Sequence, residues 1–403
     1  MGAKKLIVVG GGAAGFFCAI QAKERHPSLR VVLLEKQSKV LQKVKVSGGG
    51  RCNVTHAVES IPQLLEHYPR GKNFLKKVFY QFGPQETIQW FLDNGVALHT
   101  ETDGRMFPTT NDSQTIIDCL EQRALKLGVQ IKLTSQVKEV KYDQSFALNV
   151  NGQIMHSDYL CIACGGYPKS SSFDWLRALG HTIVEPVPSL FTFNIQGHKD
   201  LKELMGLSMP RATVRIQSSK AKDFGPLLIT HWGLSGPCVL KLSAWQARLL
   251  HDMKYEFSIL VNWINRSEAE LRSSWNDIRS EMGGQSLNKN PFAIPRRLWH
   301  YFVQKAKISH EKKWSELASK EQNALIAILV SQTFEVQGKT TFKEEFVTCG
   351  GIDLKEVNPV TMQSRTLPNL FFAGEVLDID GVTGGFNFQN AWSTGAVAGR
   401  IGQ

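Results

Sequence analysis

The chain has 403 residues, 42% of them hydrophobic and 21% charged, which suits a globular protein of roughly two or three domains. No apolar run reaches the ~18 residues needed to cross a bilayer, and seven cysteines dispersed along so long a chain do not form a disulfide framework. The net charge of +11 (pI near 9.2) would suit nucleic acid, an anionic membrane or an anionic cofactor, but Lys and Arg are scattered, so a mildly basic surface is favoured over a nucleic-acid partner.

The chain opens MGAKKLIVVGGGAAGFF. Two lysines precede an apolar run, but glycines interrupt it and no small-residue cleavage site follows, so a cytoplasmic chain is expected. Leu6 also removes the Ser or Thr that a myristoylation signal needs. Residues 4–9 predict a short buried strand ended by Gly10, helical spacing runs from Ala13 to about Lys23, and a second strand spans 30–36. Segments 73–94 and 113–127 read as amphipathic helices, and strand-like runs at 129–133, 136–142, 145–150 and 153–164 read as a β-meander. Cys161 and Cys164 form a CxxC, yet in a strand they would sit roughly 10 Å apart on opposite faces, which makes them structural.

From about residue 189 strand signals return (LFTFNI, ATVRIQ, YEFSILVNW), and from Ser267 to about Gln332 the pattern is mainly helical, with Trp275, Trp299 and Trp314 as core candidates. LFFAGEV at 370–376 is an apolar strand, followed by a glycine-rich loop and a terminal helix, NAWSTGAVAGRIG. A late strand-loop-helix that resembles the opening unit predicts a discontinuous α/β domain, 1–188 with 342–403. Its insert, 189–341, would be β-barrel-like over 189–266 and helical over 267–332.

Gly10, Gly12 and Gly15 complete a GxGxxG between strand and helix, with Glu35 closing the next strand. Gly10 permits the tight turn, Gly12 lets backbone approach a pyrophosphate, and Gly15 lets the helix pack on the sheet. The helix N-terminus offers N–H donors and positive dipole to phosphates, and Glu35 can bind the adenosine ribose. This fingerprint alone does not separate FAD from NAD. The second glycine loop, GVTGGFN at 381–387, follows Gly374 and Glu375 and opens a helix, so its N–H groups could stabilise the negative charge of a reduced flavin. That tips the expectation to FAD.

GGGAAG, SGGGRCN at 47–53, THWGLSGP at 230–237, VTCGGI at 347–352 and GEVLDIDGVTGGFNFQNAWSTG at 374–395 together resemble the HI0933-like family of bacterial flavoproteins. Its members carry names such as NAD(P)/FAD-dependent oxidoreductase and aminoacetone oxidase family protein. The resemblance implies a two-dinucleotide-binding-domain flavoprotein fold, with a Rossmann-like, discontinuous FAD domain and an inserted barrel-like plus helical domain. Gly10, Gly12, Ala13, Ala14 and Gly15 would then hold the pyrophosphate, and Glu35 with Lys36 the ribose side. Lys43 and the loop Ser47, Gly48, Gly49, Gly50, Arg51, Cys52, Asn53 would run beside the phosphates and flavin. Val137 would reach the adenine side, and Ala163 and Gly165 would line the cofactor. Gly374 and Glu375 would meet the ribityl chain, with Gly384, Gly385, Phe386 and Asn387 at the flavin ring. Two departures stand out: Leu41 occupies a position where members usually have glycine, and YPKSSSFDW at 167–175 lacks the family's glycine-rich run, although Pro168 remains.

These observations predict an FAD-dependent oxidoreductase moving a hydride between flavin N5 and a small organic substrate, with an amine suggested by the family names and oxygen or another acceptor reoxidising the flavin. Reduction of a C=C bond at the expense of NAD(P)H, bound transiently because no second fingerprint is present, is the alternative enzyme reading. A flavin-binding or nucleic-acid-associated protein without catalysis is the third. Cys52 stands where related folds place a redox cysteine but has no partner in NVTHAV at 53–58, and it is either a lone nucleophile or a cofactor-lining residue. His231 is either an acid–base group or a structural hydrogen bonder, and His56 is a weaker candidate. No metal motif is present.

Overall fold

The computed structural model describes residues 3–197, 199–340 and 347–402. The chain divides into two compact units, one formed by residues 1–189 with 342–403 and the other by 190–341.

The first unit is built on a five-stranded parallel sheet in the order Leu370–Phe372, Tyr159–Ile162, Lys5–Val9, Arg30–Leu34, Gln130–Lys132. The strands read as near-continuous apolar runs because both faces are covered, with Leu6, Ile7, Leu33, Leu160 and Ile162 fully buried. After Lys5–Val9 the chain builds the sheet first on one side and then, through Tyr159–Ile162, on the other. The crevice at the carboxyl ends of these two strands is therefore the topological switch point, where open α/β sheets bind ligands. The expected 153–164 run is two strands: Gln153–Ser157 stays in an antiparallel sheet with Val137–Asp143 and Ser145–Val150, while Tyr159–Ile162 joins the parallel sheet. The expected 73–94 helix is likewise two, Lys72–Phe79 and Pro84–Asp93. Pro84 takes the first helical position, where its missing N–H has no intrahelical role.

Two helices share the sheet's cover near the switch point. Ala13–Arg25 follows the glycine turn, and Phe386–Ala398 begins four residues earlier than its sequence pattern suggested. A Cβ added at Gly395 would lie 2.4 Å from the Ala14 carbonyl oxygen, and one at Gly399 would lie 2.7 Å from that of Cys18. The two helices approach along a stripe of bare backbone.

The second unit contains a closed antiparallel barrel in the order Thr192–Ile195, Gly233–Ser235, Lys222–Ile229, Ser208–Ile216, Glu256–Asn262, Gln332–Thr340. Alternate residues (Phe257, Ile259, Val261) point inward. The helices Glu268–Ser273, Trp275–Met282, Arg296–Lys305 and Ser319–Ser331 extend the same apolar core. Trp275, Trp299 and Trp314 are buried in it, and Trp299 donates to the Leu287 carbonyl at 2.6 Å, so these indoles are core. Among the described residues no helix is long and apolar enough to cross a membrane.

Gly395→Ala should force the two covering helices apart, because the contact is with backbone that cannot rotate away. Overpacking of this kind costs about 1–3 kcal/mol. Thermal melts followed by far-UV circular dichroism should show a lower midpoint, and an unchanged melt would mean that the helices are not held at this distance.

Candidate FAD site

The glycine turn is sterically determined at two points. Gly10, at φ 116, donates to the Leu34 carbonyl at 2.8 Å, and a Cβ there would meet the Ala163 carbonyl oxygen at 2.2 Å. A Cβ on Gly15 would fall 1.9 Å from the Gly10 carbonyl oxygen. Gly12 is different. It has extended backbone (φ −93, ψ −171) that any residue could adopt, and an added Cβ would meet nothing within 4 Å. Its missing side chain leaves open space at the N-terminus of Ala13–Arg25, where the first-turn N–H groups and the helix dipole favour a pyrophosphate. Glu35, at the end of the neighbouring strand, accepts from Gly11 N–H through Oε2 and from Gln37 N–H through Oε1, both at 2.8 Å, which fixes its carboxylate beside the turn. Its backbone carbonyl accepts from Ser135 N–H, and the chain then enters the strand that begins at Val137. Lys36 is exposed, with Nζ 5.6 Å from the Tyr167 ring centre.

Residues 42–50 begin as a helix and break at Ser47 (ψ 150); Gly48, Gly49 and Gly50 follow at φ 59, 69 and 86. Three successive left-handed residues need glycine for the conformation itself. A Cβ at Gly49 or Gly50 would meet nothing within 4 Å, so these two also leave open space beside the loop. Lys43 reaches Glu375 at 2.6 Å, and Glu375 also accepts from Thr348 N–H at 2.9 Å. The buried Thr348 hydroxyl has no hydrogen-bond partner among the described residues. At Leu41, where the family resemblance expected glycine, the backbone is still left-handed (φ 56); the residue is buried, and its N–H donates to the Gly11 carbonyl at 2.8 Å. The divergent 167–175 loop has its own organisation: Tyr167 packs edge-on against Phe173 at 4.9 Å, and Ser170 donates to Glu185 at 2.8 Å.

The Arg51, Cys52 and Asn53 side chains are engaged with the protein. Arg51 pairs with Glu101 at 2.7 Å and lies over the Phe107 ring. Cys52 is fully buried at φ 58, and burial pushes its thiol up to about 12, opposed by a hydrogen bond with Ser47. Asn53, with its amide turned to satisfy its neighbours, donates to the Thr55 carbonyl at 2.9 Å and accepts from Gly385 N–H at 3.0 Å. The SGGGRCN loop is thereby tied to the second glycine loop.

That second loop is held from within and without. Gly374, at φ 78, donates to Thr394 Oγ1 at 2.8 Å, and its α-carbon faces Ala14, where a Cβ would come within 2.8 Å of the Ala14 Cβ. Asn387 closes the loop by accepting from Gly381 N–H and donating to the Gly381 carbonyl, both at 2.8 Å. Asp380 is buried, chelated by the Arg70 guanidinium, and accepts from Ser189 at 2.6 Å. Burial pushes its carboxyl above the ordinary range, and Arg70 opposes that shift. Gly384 and Gly385 (φ 133 and 91) open the helix, and Phe386 is buried with His67 stacked at 4.2 Å and His56 at 4.8 Å. His56 Nδ1 donates to the Gly384 carbonyl at 2.9 Å. This His56–Phe386–His67 stack is not legible in the sequence, because Phe386 lies more than 300 residues after both histidines and only the fold unites them.

His231 lies in the barrel unit, exposed and edge-on to Trp232 at 5.1 Å. All seven cysteines are free, and Cys161 shares a hydrogen bond with Cys18 in the fingerprint helix, which with burial raises its thiol. Cys164 lies instead beside Tyr167, pushed up to about 11 by burial. A surface cavity of about 640 Å³ lined by Lys23, Glu24, Trp90 and Arg123 lies at the far end of the fingerprint helix, away from the glycine turn.

The model of the HI0933-like protein Rossmann domain matches residues 4–401. The chain belongs to the HI0933-like family. It is a flavoprotein oxidoreductase that uses FAD, and the open space at Gly12, Gly49 and Gly50 and the fixed Glu35 fit that cofactor. A protein of Escherichia coli (strain K12) named ribosomal RNA dihydrouridine synthase is 32% identical over 402 residues, covering 96% of this chain and 95% of its own. A 3-dehydro-bile acid delta(4,6)-reductase of Clostridium scindens is 28% identical over 411 residues, covering 98% of this chain and 97% of its own. Among solved structures, the 3-ketosteroid delta1-dehydrogenase of Sterolibacterium denitrificans in complex with 1,4-androstadiene-3,17-dione superposes with a TM-score of 0.51 at 11% identity and covers 99% of both chains, a likeness of fold.

Gly12→Val should leave the apo HI0933-like fold intact and lower FAD affinity at least about tenfold, since it fills the space of a charge-assisted contact. Gly15→Ala, by contrast, should destabilise the protein with or without cofactor. Melts of the apo proteins and flavin absorbance after reconstitution separate the two outcomes.

The Cys52 thiol should resist iodoacetamide at about pH 8, where on the order of one thiol in ten thousand is ionised, and its labelling should accelerate about tenfold per pH unit. Because the folded thiol titrates above its ordinary value of 9.0, native stability should fall as pH rises from there towards about 12. Peptide mass mapping of the alkylated protein checks the first point; fast labelling at neutral pH would show an accessible thiolate.

Proposed function

We propose that this flavoprotein reduces a carbon–carbon double bond, and that its substrate is a uracil base in ribosomal RNA. The observation that carries the reading is the full-length 32% identity to the Escherichia coli protein named ribosomal RNA dihydrouridine synthase. The +11 net charge supports a polyanionic substrate. Saturating the base adds a hydride to one ring carbon and a proton to the other. When bound, FAD supplies two-electron hydride exchange at N5.

What this chain contributes is binding and orientation. Gly10 to Gly15 and the first-turn N–H groups would hold the pyrophosphate, and Glu35 the ribose. Lys43 and Glu375 would stand along the linking chain, and the N-terminus of Phe386–Ala398 would hold negative charge on the flavin's pyrimidine side. The burial and raised titration of Cys52 support a role in framing the loop, with nucleophilic chemistry disfavoured. A nicotinamide nucleotide would supply the electrons, bound transiently over the flavin. A ribosomal substrate would place the protein in the cytoplasm.

The amine reading rests on family names alone. A second reading, reduction of a small-molecule enone, draws on the 28% identity to the bile acid reductase.

The test is anaerobic incubation of the purified holoprotein with NADPH or NADH and unmodified ribosomal RNA, followed by nucleoside mass spectrometry. The expected result is a uridine species heavier by two hydrogens, formed only with reductant. Bleaching of the flavin by an amine, or turnover of an enone without any dihydrouridine, would overturn the RNA reading.

A further inference from the structure

The hairpin Ser208–Ile216 and Lys222–Ile229 of the barrel has two unlike faces. Inward, Ala212, Val214, Ile216, Leu227 and Ile229 are buried. Outward, the register sets Thr213 opposite Phe224 and Arg215 opposite Lys222, with Lys220 in the turn. Like charges directly opposite in an antiparallel pair are destabilising, so the barrel gains nothing from this arrangement. Among the described residues no carboxylate forms a salt bridge with Arg211, Arg215, Lys220 or Lys222. The hairpin's one acid, Asp223, is partly buried; burial raises its carboxyl and the charge of Lys241 opposes that. On the adjoining strand Thr213 and Arg215 pair with Asn262 and Leu260, so no acid is directly across there either. In the middle of these cations Phe224 is 44% exposed, with the Arg211 guanidinium 5.7 Å from its ring centre.

We propose that this outer face is a docking platform for single-stranded RNA. The inference rests on the ribosomal RNA reading above and names the surface by which the substrate would be held. An exposed ring beside a guanidinium offers a stacking surface for a base, and unpaired Arg and Lys around it offer contacts to successive phosphates. That combination favours RNA over an acidic protein, whose carboxylates would leave the ring without a partner.

The test uses full-length FAD-bound protein and a short fluorescein-labelled, uridine-rich single-stranded RNA, with affinity measured by anisotropy from about 50 to about 200 mM salt. Arg211→Gln, Arg215→Gln and Lys222→Gln combined should weaken binding at least about tenfold at low salt and reduce the log–log salt slope by about 2, given ~0.7 per phosphate contact on a single strand. Phe224→Ala should weaken binding about five- to tenfold and leave the salt slope unchanged, because stacking releases no counterions. All positions are exposed, and flavin absorbance with circular dichroism checks that the variants remain folded.

Wild-type protein that does not bind the RNA at low salt, or variants that bind like wild type, would overturn the platform. Equal loss of binding to anionic vesicles and no binding to RNA would also overturn it. The two proposals fail separately: patch-dependent RNA binding without dihydrouridine formation removes the function and keeps the platform. Dihydrouridine formation unaffected by the patch variants does the reverse.

Discussion

Bare backbone on two sides of the fingerprint helix sets the geometry from which the FAD-binding unit is assembled. Gly15 lets the helix lie on the Gly10 turn, while Gly395 and Gly399 let the C-terminal helix lie against Ala14 and Cys18. The first glycine turn comes from the first fifteen residues, and the second glycine loop comes from the last thirty. Both hang from the same helix, and Gly374 abuts Ala14 directly. A methyl group at any of these contacts would meet carbonyl oxygen or another backbone-anchored atom, so the spacing has little slack.

Around that apolar and backbone contact lies a network of buried polar side chains. Gln389 accepts from Thr55 and donates to Thr87 and Ser393, Trp392 donates to the Val54 carbonyl, and Tyr68 donates to the Phe386 carbonyl. With Asn53, Asn387 and the Arg70–Asp380 pair, these bonds fix loops that would otherwise be mobile glycine runs. A buried polar group stripped of its partner costs about 1–3 kcal/mol, which makes the network cooperative. Glycine supplies the shapes, and the neighbouring amides and carboxylates hold them.

The α/β class and the strand-turn-helix around Gly10 and Gly15 were legible because each has a local signature: an apolar run, a turn, and a helix at fixed offset. The steric roles of Gly10 and Gly15 needed only their spacing. Less legible were boundaries decided by partners. Tyr159–Ile162 separates from the antiparallel sheet because Lys5–Val9 and Leu370–Phe372 offer parallel neighbours. The SGGGRCN loop was understood as close approach to a ligand, yet its glycines are needed first for their left-handed backbone, and its Arg, Cys and Asn side chains turn to the protein. Asp380 has no reading in the sequence, because nothing local announces Arg70 and Ser189. Leu41 shows the reverse case: a left-handed position can be filled by a buried leucine when burial offsets the strain.

The strands Ile183–Ser189 and Val347–Ile352 are antiparallel neighbours, and Ser189 pairs with Val347 across the ladder. Seen from the FAD-binding unit, the whole barrel-and-helix insert is therefore the loop of a hairpin, leaving and returning at one rung. Closing so long a loop adds little entropy beyond that of a short one, since the dependence on length is logarithmic. Such a junction lets the frame close at one rung whatever the chain does in between, so a change of length inside the insert leaves the Ser189–Val347 pairing in place.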